Sequence, residues 1–282
     1  MSYAYDVDEF SRYYDTFVAN HVTQDAYWVD TVCEIYAEII QRTFIDNQQT
    51  IIIDLGCGTG KDLIYFENYF KNKNIKLIGI DHSQAMLDRA KDKLNNQLTN
   101  NQIELLHGDL TNFANCLETK IIDCILLPAG TFHHLITDDE RQKFINNIQQ
   151  TLRPHTGLFA IYLMPDCYIY IGEPSIDNSN NQDRLQLISV ENTQQNNNNN
   201  DEWICKQTFE FNIPPKIELS WQLRTCNISK FIQLFLQNNF EPVFCCLNGK
   251  ELLSYDENIS SLLNNNNSTP VILVFRSIKN TN

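Results

Sequence analysis

Residues 51–62 carry the pattern that decides the fold, and they read Ile51-Ile52-Ile53-Asp54-Leu55-Gly56-Cys57-Gly58-Thr59-Gly60-Lys61-Asp62. A short apolar strand ends in a Gly-x-Gly-x-Gly turn, and a helix is predicted to begin directly behind it. Glycine lets the backbone turn sharply and lets a ligand approach without meeting a Cβ atom, and the N–H groups at a helix start favour anionic groups. Three glycines at alternate positions exceed what a plain strand-to-helix turn needs, so this segment predicts a ligand-binding loop.

The glycine spacing also distinguishes between kinds of nucleotide cofactor. A dinucleotide-binding fingerprint needs its third glycine for close packing of helix on strand, and that position is 61 in this chain. Lys61 occupies it, and the third glycine stands at 60. The spacing therefore argues against NAD and FAD.

Outward from this loop, short apolar runs alternate with helical patterns. Alternation of this kind predicts a parallel sheet with helices on both faces. The segment Thr137-Asp138-Asp139-Glu140 is a capping box with an acidic first turn, and it predicts a helix that runs to about residue 152. The predicted strands lie at 51–55, 76–80, 103–106, 121–127 and 158–163.

The rest of the chain divides around this core. Residues 1–45 form an N-terminal unit in which apolar steps of three and four predict a helix over 25–45. Residues 46–165 form the core. Residues 166–282 contain a polar, Asn-rich loop at 178–200 that we expect to be disordered. They also contain an antiparallel strand pair around Pro214-Pro215, a helix and two strands that complete the same sheet; these elements are predicted at 202–211, 216–224, 228–238, 242–247 and 270–276.

Carboxylates follow the next two strands where those strands end. Asp81 lies 25 residues after Gly56, where one carboxylate can accept hydrogen bonds from both hydroxyls of a ribose. The alternative is that Asp81 caps the following helix. Asp109 follows the third strand and suits an adenine amino group, with the N–H of Leu110 donating to the ring. Its alternative is a capping role in a loop.

Composition limits the classes of protein. The 282 residues suit one large α/β domain or two small ones, and 43% hydrophobic residues indicate a globular chain. A net charge of −14 with scattered basic residues argues against nucleic acids and anionic membranes as partners. No apolar run is long enough to span a bilayer, and the acidic N-terminus differs from a signal peptide, so we expect a cytoplasmic protein. Nine scattered cysteines without a Cys-x-x-Cys pair favour neither a disulfide framework nor a metal site.

The strand-end motifs, in this order and at these distances, resemble those of class I S-adenosylmethionine-dependent methyltransferases. The fourth motif follows the fourth strand and reads Pro128-Ala129-Gly130-Thr131-Phe132-His133-His134-Leu135. The likeness covers residues 50 to about 163. More loosely, the N-terminal and C-terminal segments resemble the small-molecule branch of glycine-type and amino-sugar N-methyltransferases, in Tyr13-Tyr14-Asp15-Thr16-Phe17, Trp221-Gln222-Leu223-Arg224 and Asn239-Phe240. Two features depart from that branch: Asn238-Asn239 replaces a small residue and a glycine, and the loop at 172–200 has no counterpart.

The resemblance implies a Rossmann-like sheet of seven mostly parallel strands with an antiparallel last strand. It also implies S-adenosylmethionine as the cofactor, lying over the carboxyl ends of the strands, and no metal. An N-terminal helical lid and an antiparallel hairpin insertion complete the expected fold. The residues implied to hold the cofactor, from its methionine part to its adenine, are Tyr14, Trp28, Asp54, Gly56, Gly58, Ala129, Asp81, Met86, Asp109 and Leu110.

We expect the methyl acceptor to be a small molecule, and specifically an amine. Alignment of the methyl donor and the acceptor accounts for much of the rate acceleration of such a transfer, so no nucleophilic residue of the protein is required. An amine acceptor must, however, lose a proton. His133 or His134, at the predicted mouth of the pocket, is the candidate base. The alternative is that one packs in the core while the other faces water.

The sequence leaves other functions open. One is a methyltransferase-fold binding or partner subunit without chemistry of its own. Another is transfer of a different group from a decarboxylated cofactor. We expect a monomer or a homodimer.

Overall fold

The computed structural model describes residues 2–21, 30–98, 102–119, 121–164, 185–194, 202–212, 216–247, 249, 251–264 and 270–278. The helices are α1 (Asp8–His21), α2 (Asp30–Gln41), α3 (Lys61–Tyr69), α4 (Gln84–Leu98), α5 (Asp138–Thr151), α6 (Ile228–Gln237) and α7 (Glu257–Asn264). The strands are β1 (Ser2–Tyr3), β2 (Thr50–Leu55), β3 (Ile75–Asp81), β4 (Ile103–His107), β5 (Cys124–Leu127), β6 (Leu158–Leu163), β7 (Leu185–Gln194), β8 (Trp203–Phe211), β9 (Ile217–Arg224), β10 (Phe240–Leu247), β11 (Leu252–Ser254) and β12 (Val271–Ser277).

The main sheet has the strand order β11-β10-β12-β6-β5-β2-β3-β4. Strands β6, β5, β2, β3 and β4 are parallel neighbours, whereas β12 runs antiparallel to both β6 and β10. This confirms the predicted α/β fold with a mostly parallel sheet and an antiparallel last strand. Short β11 adds an eighth strand at the edge, where it pairs with β10.

Both faces of this sheet are covered. Neighbouring residues of one strand belong to opposite cores because successive side chains of a strand point to opposite faces. Ile53 packs on the face covered by α5, α6 and α7, and Ile52 packs on the face covered by α2, α3 and α4. The capping box begins α5 as predicted, with Thr137 and Glu140 bonded reciprocally.

A second sheet has the order β1-β9-β8-β7. The predicted antiparallel pair is confirmed as β8 and β9. The expectation of disorder over 178–200 is wrong at 185–194, where β7 pairs antiparallel with the whole of β8. Its Leu187 and Val190 pack against the core of this sheet. A β-bulge between Leu187 and Ser189 interrupts the two-residue period, so the sequence does not show the usual alternation of a strand. The remainder of the predicted loop lies outside the described residues.

The N-terminal segment lies between the two sheets. Helix α1 corresponds to the N-terminal helical lid that the resemblance implied, and the helix expected over 25–45 is α2, with residues 22–29 outside the described residues. Phe10 is fully buried against the second sheet, where its ring lies 6.1 Å from that of Phe211. On the other side, the Thr59 hydroxyl of the glycine loop donates to Asp15 at 2.6 Å. Within the described residues, no helix has both the length and the apolar character needed to cross a bilayer.

Candidate functional site

A cavity of about 540 Å³ lies over the carboxyl ends of β2, β3, β4 and β5, within the range of about 300–1,000 Å³ typical of small-molecule sites. Open α/β sheets bind their ligands at this edge. Strand-end loops form one wall of the cavity, and the N-terminal segment forms the opposite wall. Eight of the residues predicted to hold the cofactor line it, namely Tyr14, Gly56, Gly58, Asp81, Met86, Asp109, Leu110 and Ala129.

The glycine loop presents bare backbone to this cavity. Gly56 and Gly58 both adopt positive φ, at 71° and 51°, where a side chain is strained. A Cβ atom on Gly56 would lie 2.6 Å from the Thr131 side chain, so this glycine permits contact with the turn after β5. A Cβ atom on Gly58 would project towards Tyr14, at 3.9 Å, and would take up space in the cavity.

Asp81 connects the end of β3 to the glycine loop. One carboxylate oxygen accepts from the backbone N–H of Gly58 at 2.8 Å, and the other accepts from the N–H of Ser83 at 2.8 Å. Helix α4 is capped by Ser83, whose hydroxyl accepts from the Met86 N–H at 3.2 Å, and not by Asp81. The two backbone bonds leave each Asp81 oxygen able to accept a further bond from a ligand hydroxyl. Burial raises the pKa of the Asp81 carboxyl, and the two backbone bonds oppose that shift.

Asp54, at the end of β2, is buried and its carboxylate has no hydrogen-bond partner among the described residues. Burial raises the pKa of this carboxyl well above its usual range, and the nearby charges of Asp62 and Asp81 raise it further. A buried carboxylate of this kind is costly unless a cation or a donor meets it. The methionine ammonium of S-adenosylmethionine is such a group, so the unpartnered oxygens fit this cofactor.

The part of the cavity where the adenine was predicted lies beside α4 and the loop after β4. Met86 is buried in the first turn of α4, and its side chain forms part of the cavity wall. Asp109 accepts from the backbone N–H of Thr111 at 2.7 Å, which is the loop role that the sequence also allowed. Leu110 follows it in the cavity wall. An apolar wall beside a carboxylate suits a heterocycle that carries an amino group.

Ala129 and Trp28 are the last two residues predicted to hold the cofactor. Ala129 lies in the cavity wall with a positive φ of 59°, uncommon for a residue with a side chain and frequent at ligand-binding turns. Trp28 lies outside the described residues.

The two candidate bases have different surroundings. His133 is fully buried, with Nδ1 2.7 Å from the Arg224 carbonyl and Nε2 accepting from the Met164 N–H at 3.0 Å. Burial lowers the pKa of His133 to about 3. Because both nitrogens are occupied by backbone and the ring is not in the cavity wall, the structure gives His133 a place in the core.

His134 is half-buried and lines the cavity. Its Nδ1 lies 3.2 Å from the hydroxyl of Tyr3. The pKa of His134 is lowered to about 4, mainly by burial and also by the charge of His82, while a hydrogen bond to the Gln222 backbone opposes both effects. Of the two adjacent histidines, His134 is the one that a bound ligand can reach.

Several lining residues were not predicted. Tyr3 and Tyr5 come from the N-terminal segment, where no motif marks them. His82 follows Asp81 directly, so the rule that ligands meet strand ends would have found it. Asp139, Glu140 and Lys143 come from α5, and the capping box placed the first two at the carboxyl edge of the sheet.

Together, the parallel sheet, the exposed glycine loop and the carboxylates after β2, β3 and β4 define an α/β protein with a nucleoside-type cofactor site. Residues 52–155 match the family model described as a methyltransferase domain. This match supports the predicted resemblance of residues 50–163 to the class I S-adenosylmethionine-dependent methyltransferases, and with it S-adenosylmethionine as the cofactor.

Individual relatives are distant. A carboxy-S-adenosyl-L-methionine synthase of Histophilus somni is 24% identical over 145 residues, a match that covers 46% of this chain and 58% of the relative. An S-adenosylmethionine-dependent methyltransferase from Clostridium acetobutylicum shares 15% identity with a TM-score of 0.66, covering 96% of this chain and 98% of that one. The amino pentose methyltransferase CalS10 of Micromonospora echinaspora shares 14% identity with a TM-score of 0.54, covering 92% and 97%. These two structures are similar in fold, and the chain spans little more than half the length of the curated relative.

Proposed function

We propose that this protein transfers the methyl group of S-adenosylmethionine to a small amine. The observation that carries the proposal is the chemistry of the cavity wall. It contains the carboxylates Asp139 and Glu140, and its lysine, Lys143, is paired with Asp139 at 2.6 Å. Phenol and imidazole rings line the wall beside them. Such a wall favours a neutral or cationic acceptor over an anionic one because unlike charges attract.

When bound, S-adenosylmethionine supplies a methyl group on a sulfonium, whose sulfur keeps the bonding electrons as the acceptor nitrogen bonds to the methyl carbon. The chain orients the two partners. Asp54 and the Ala129 carbonyl would hold the methionine ammonium, and Asp81 would accept from the ribose hydroxyls. Orientation of this kind supplies about 7–11 kcal/mol of a barrier.

The N-terminal segment excludes water from the reacting groups. Tyr14 faces Gly58, and Asp15 accepts from Thr59 while its other oxygen pairs with Lys93 on α4. A wall closed by contacts of this sort keeps the sulfonium away from water, which would compete with the acceptor. His134 is the base that we propose for the acceptor proton, and His133 supports its turn from the core.

The charge of the whole chain supports a small acceptor. A net charge of −14 opposes a phosphate backbone or an anionic membrane surface. We propose a cytoplasmic enzyme, monomeric or homodimeric, that acts on metabolites and not on nucleic acid.

A second candidate is the synthesis of a carboxylated cofactor, because the curated relative is a carboxy-S-adenosyl-L-methionine synthase. A donor of a carboxyl group is an anion at neutral pH. Lys143, which could meet it, is already paired with Asp139. The wall described above therefore favours methyl transfer.

The test is an incubation of the protein with methyl-labelled S-adenosylmethionine and a size-fractionated cell extract. We expect label in the small-molecule fraction, in products retained by a cation exchanger. Label recovered only in RNA or protein would contradict the small acceptor. A carboxylated cofactor detected by mass spectrometry would support the second candidate. Calorimetric binding of S-adenosylhomocysteine without any product would support a binding subunit.

A further inference from the structure

We infer that Tyr3 is a catalytic residue of this site, and that its hydroxyl passes the proton of the methylated amine to His134. This rests on the proposed methyl transfer to an amine. The geometry that carries it is the 3.2 Å contact between the Tyr3 hydroxyl and His134 Nδ1, with both side chains in the cavity wall.

The direction of the Tyr3–His134 bond follows from the second bond of the imidazole. The ring is also bonded to the Gln222 backbone, and this bond raises the pKa of His134. A hydrogen bond that raises the pKa of histidine is one to an acceptor, which is the Gln222 carbonyl. Because Nδ1 faces Tyr3, the inferred relay has Nε2 as the nitrogen that donates to this carbonyl. Nδ1 then holds a lone pair and accepts from the phenol, as neutral imidazole does when its other nitrogen carries the proton.

The contacts of Tyr3 hold its ring in this position. The ring lies 5.3 Å from that of His82 and 5.4 Å from that of Tyr5, and its backbone extends β9 as strand β1. Tyr5 in turn stacks on Trp221 at 5.9 Å. Burial raises the pKa of the Tyr3 phenol, so it stays protonated and acts as a donor to His134. Its oxygen retains lone pairs for an N–H of the acceptor.

In the inferred relay, a proton moves from the methylated acceptor through Tyr3 to His134. After methylation the acceptor nitrogen is an ammonium, and one of its protons moves to the Tyr3 oxygen as the Tyr3 proton moves to Nδ1 of His134. The products are a neutral methylated amine, an unchanged phenol and an imidazolium. Because burial lowers the pKa of His134, this imidazolium is a stronger acid than the ammonium and forms only transiently. Its release of the proton to water when the cavity opens drives the transfer to completion.

Other titratable groups face this pair and bear on its pH dependence. The groups whose charge acts on one or the other partner are Tyr5, Asp6, Asp81, His82, Asp109 and His133. The carboxylates raise the pKa of Tyr3, and protonated His82 lowers that of His134. Both effects keep the proton on Tyr3 before the reaction.

The first test needs no methyl acceptor. Long-range nitrogen–proton NMR spectra of the complex with S-adenosylhomocysteine report the tautomer and the pKa of His134. We expect protonated Nε2, and we expect Tyr3→Phe to raise the pKa of His134 because it removes a donor to the neutral ring. Tyr69→Phe, at a half-exposed tyrosine on α3, is the matched control. It should leave the tautomer and the pKa of His134 unchanged. A proton on Nδ1, or a His134 pKa unmoved by Tyr3→Phe, would overturn the inference.

The second test measures turnover with labelled cofactor and the small-molecule fraction of the extract as the acceptor. Tyr3→Phe and His134→Asn should each lower kcat by about 10²-fold with little change in KM, and the double variant should lose little more. His155→Asn, at an exposed histidine, should match the wild type. Full kcat in Tyr3→Phe would overturn the relay while leaving methyl transfer intact. Failure of the wild type to label any amine would instead count against the proposed function, and the NMR result would still decide the hydrogen bond.

Discussion

At the residue scale, Asp54 and Asp81 show two ways of holding a carboxylate at the end of a strand. Asp81 is stabilised by two backbone N–H groups in the folded chain itself. Asp54 is equally buried and has no hydrogen-bond partner in the described residues, so its charge is destabilising until a ligand arrives. The Asp54 carboxylate is therefore expected to favour cofactor binding and to lower the stability of the ligand-free protein.

We expect Asp54→Asn to raise the melting temperature of the ligand-free protein. We expect it to lower the affinity for S-adenosylhomocysteine by about tenfold or more. In the wild type, the folded state keeps the Asp54 proton at pH values where the unfolded state, with the ordinary pKa of 3.8, has lost it. The free energy of unfolding therefore falls as pH rises from that value through the raised pKa. The amide of Asp54→Asn does not titrate, so the difference in free energy of unfolding between the variant and the wild type should grow between about pH 5 and about pH 8. Thermal unfolding at both pH values and calorimetry measure these effects.

The control is Asp123→Asn, at a buried carboxylate whose partners are already present. Asp123 accepts from the Ile51 N–H at 2.8 Å and from Arg153 at 2.5 Å. This substitution should lower the melting temperature because it breaks an existing ion pair. An Asp54→Asn variant that is less stable than the wild type at both pH values, with unchanged affinity, would show that Asp54 has a structural partner.

At the element scale, β7 completes the second sheet, whose strand β1 contributes Tyr3 to the cavity wall. Its partner β8 would otherwise be an edge strand with unpaired backbone groups. Neighbouring residues of β7 point to opposite faces, so Leu187 packs against the core of this sheet while Ile188 is 43% exposed.

We expect Leu187→Asp to lower the free energy of unfolding by about 1–3 kcal/mol, because it puts a charge where a leucine is partly buried. Ile188→Asp is the matched control and should change it by less than about 0.5 kcal/mol. Urea titrations of both variants measure the difference. Equal effects would mean that β7 does not pack on the sheet as described.

At the scale of the whole molecule, two sets of contacts join the second sheet to the main one. One is the N-terminal segment, through Phe10 on one side and Asp15 on the other. The other is a buried ion network in which Glu202 accepts from Arg141 at 3.1 Å and from Arg224 at 2.8 Å. The carbonyl of Arg224 is also the partner of His133, so this network reaches the turn that carries His134.

We expect removal of residues 2–21 to abolish methyl transfer while the main sheet still folds. The deletion removes Tyr3, Tyr5 and Tyr14 from the cavity and uncovers the apolar core of the second sheet. The two cores of the main sheet contain no residue from this segment. Circular dichroism, binding of a hydrophobic dye and the labelled-cofactor assay measure the three consequences.

The full-length variant Arg12→Ala is the control, because Arg12 is an exposed residue of α1 that pairs with Asp8. It should retain wild-type activity. A truncated chain that still labels small amines would show that the N-terminal segment is not part of the site.

The sequence by itself determined the main sheet and the position of the cofactor loop. Strands such as β2 and β6 are buried on both faces, so they are nearly continuous apolar runs that a single sequence displays. The candidate carboxylates lie where strands end, Asp54 in β2, Asp81 in β3 and Asp109 after β4, so they could be placed at one edge from topology alone. These features depend on local patterns, which is why they were predictable.

Only the tertiary structure decided which residues complete the site. The sequence could not choose between His133 and His134, because the choice depends on where a short turn directs two adjacent side chains. It could not find Tyr3 or β7 either, since each is placed by contacts with residues far along the chain, Tyr3 with His134 and β7 with β8. Long-range pairing and side-chain direction are set by the packing of the two sheets around the cavity, and no local pattern records them.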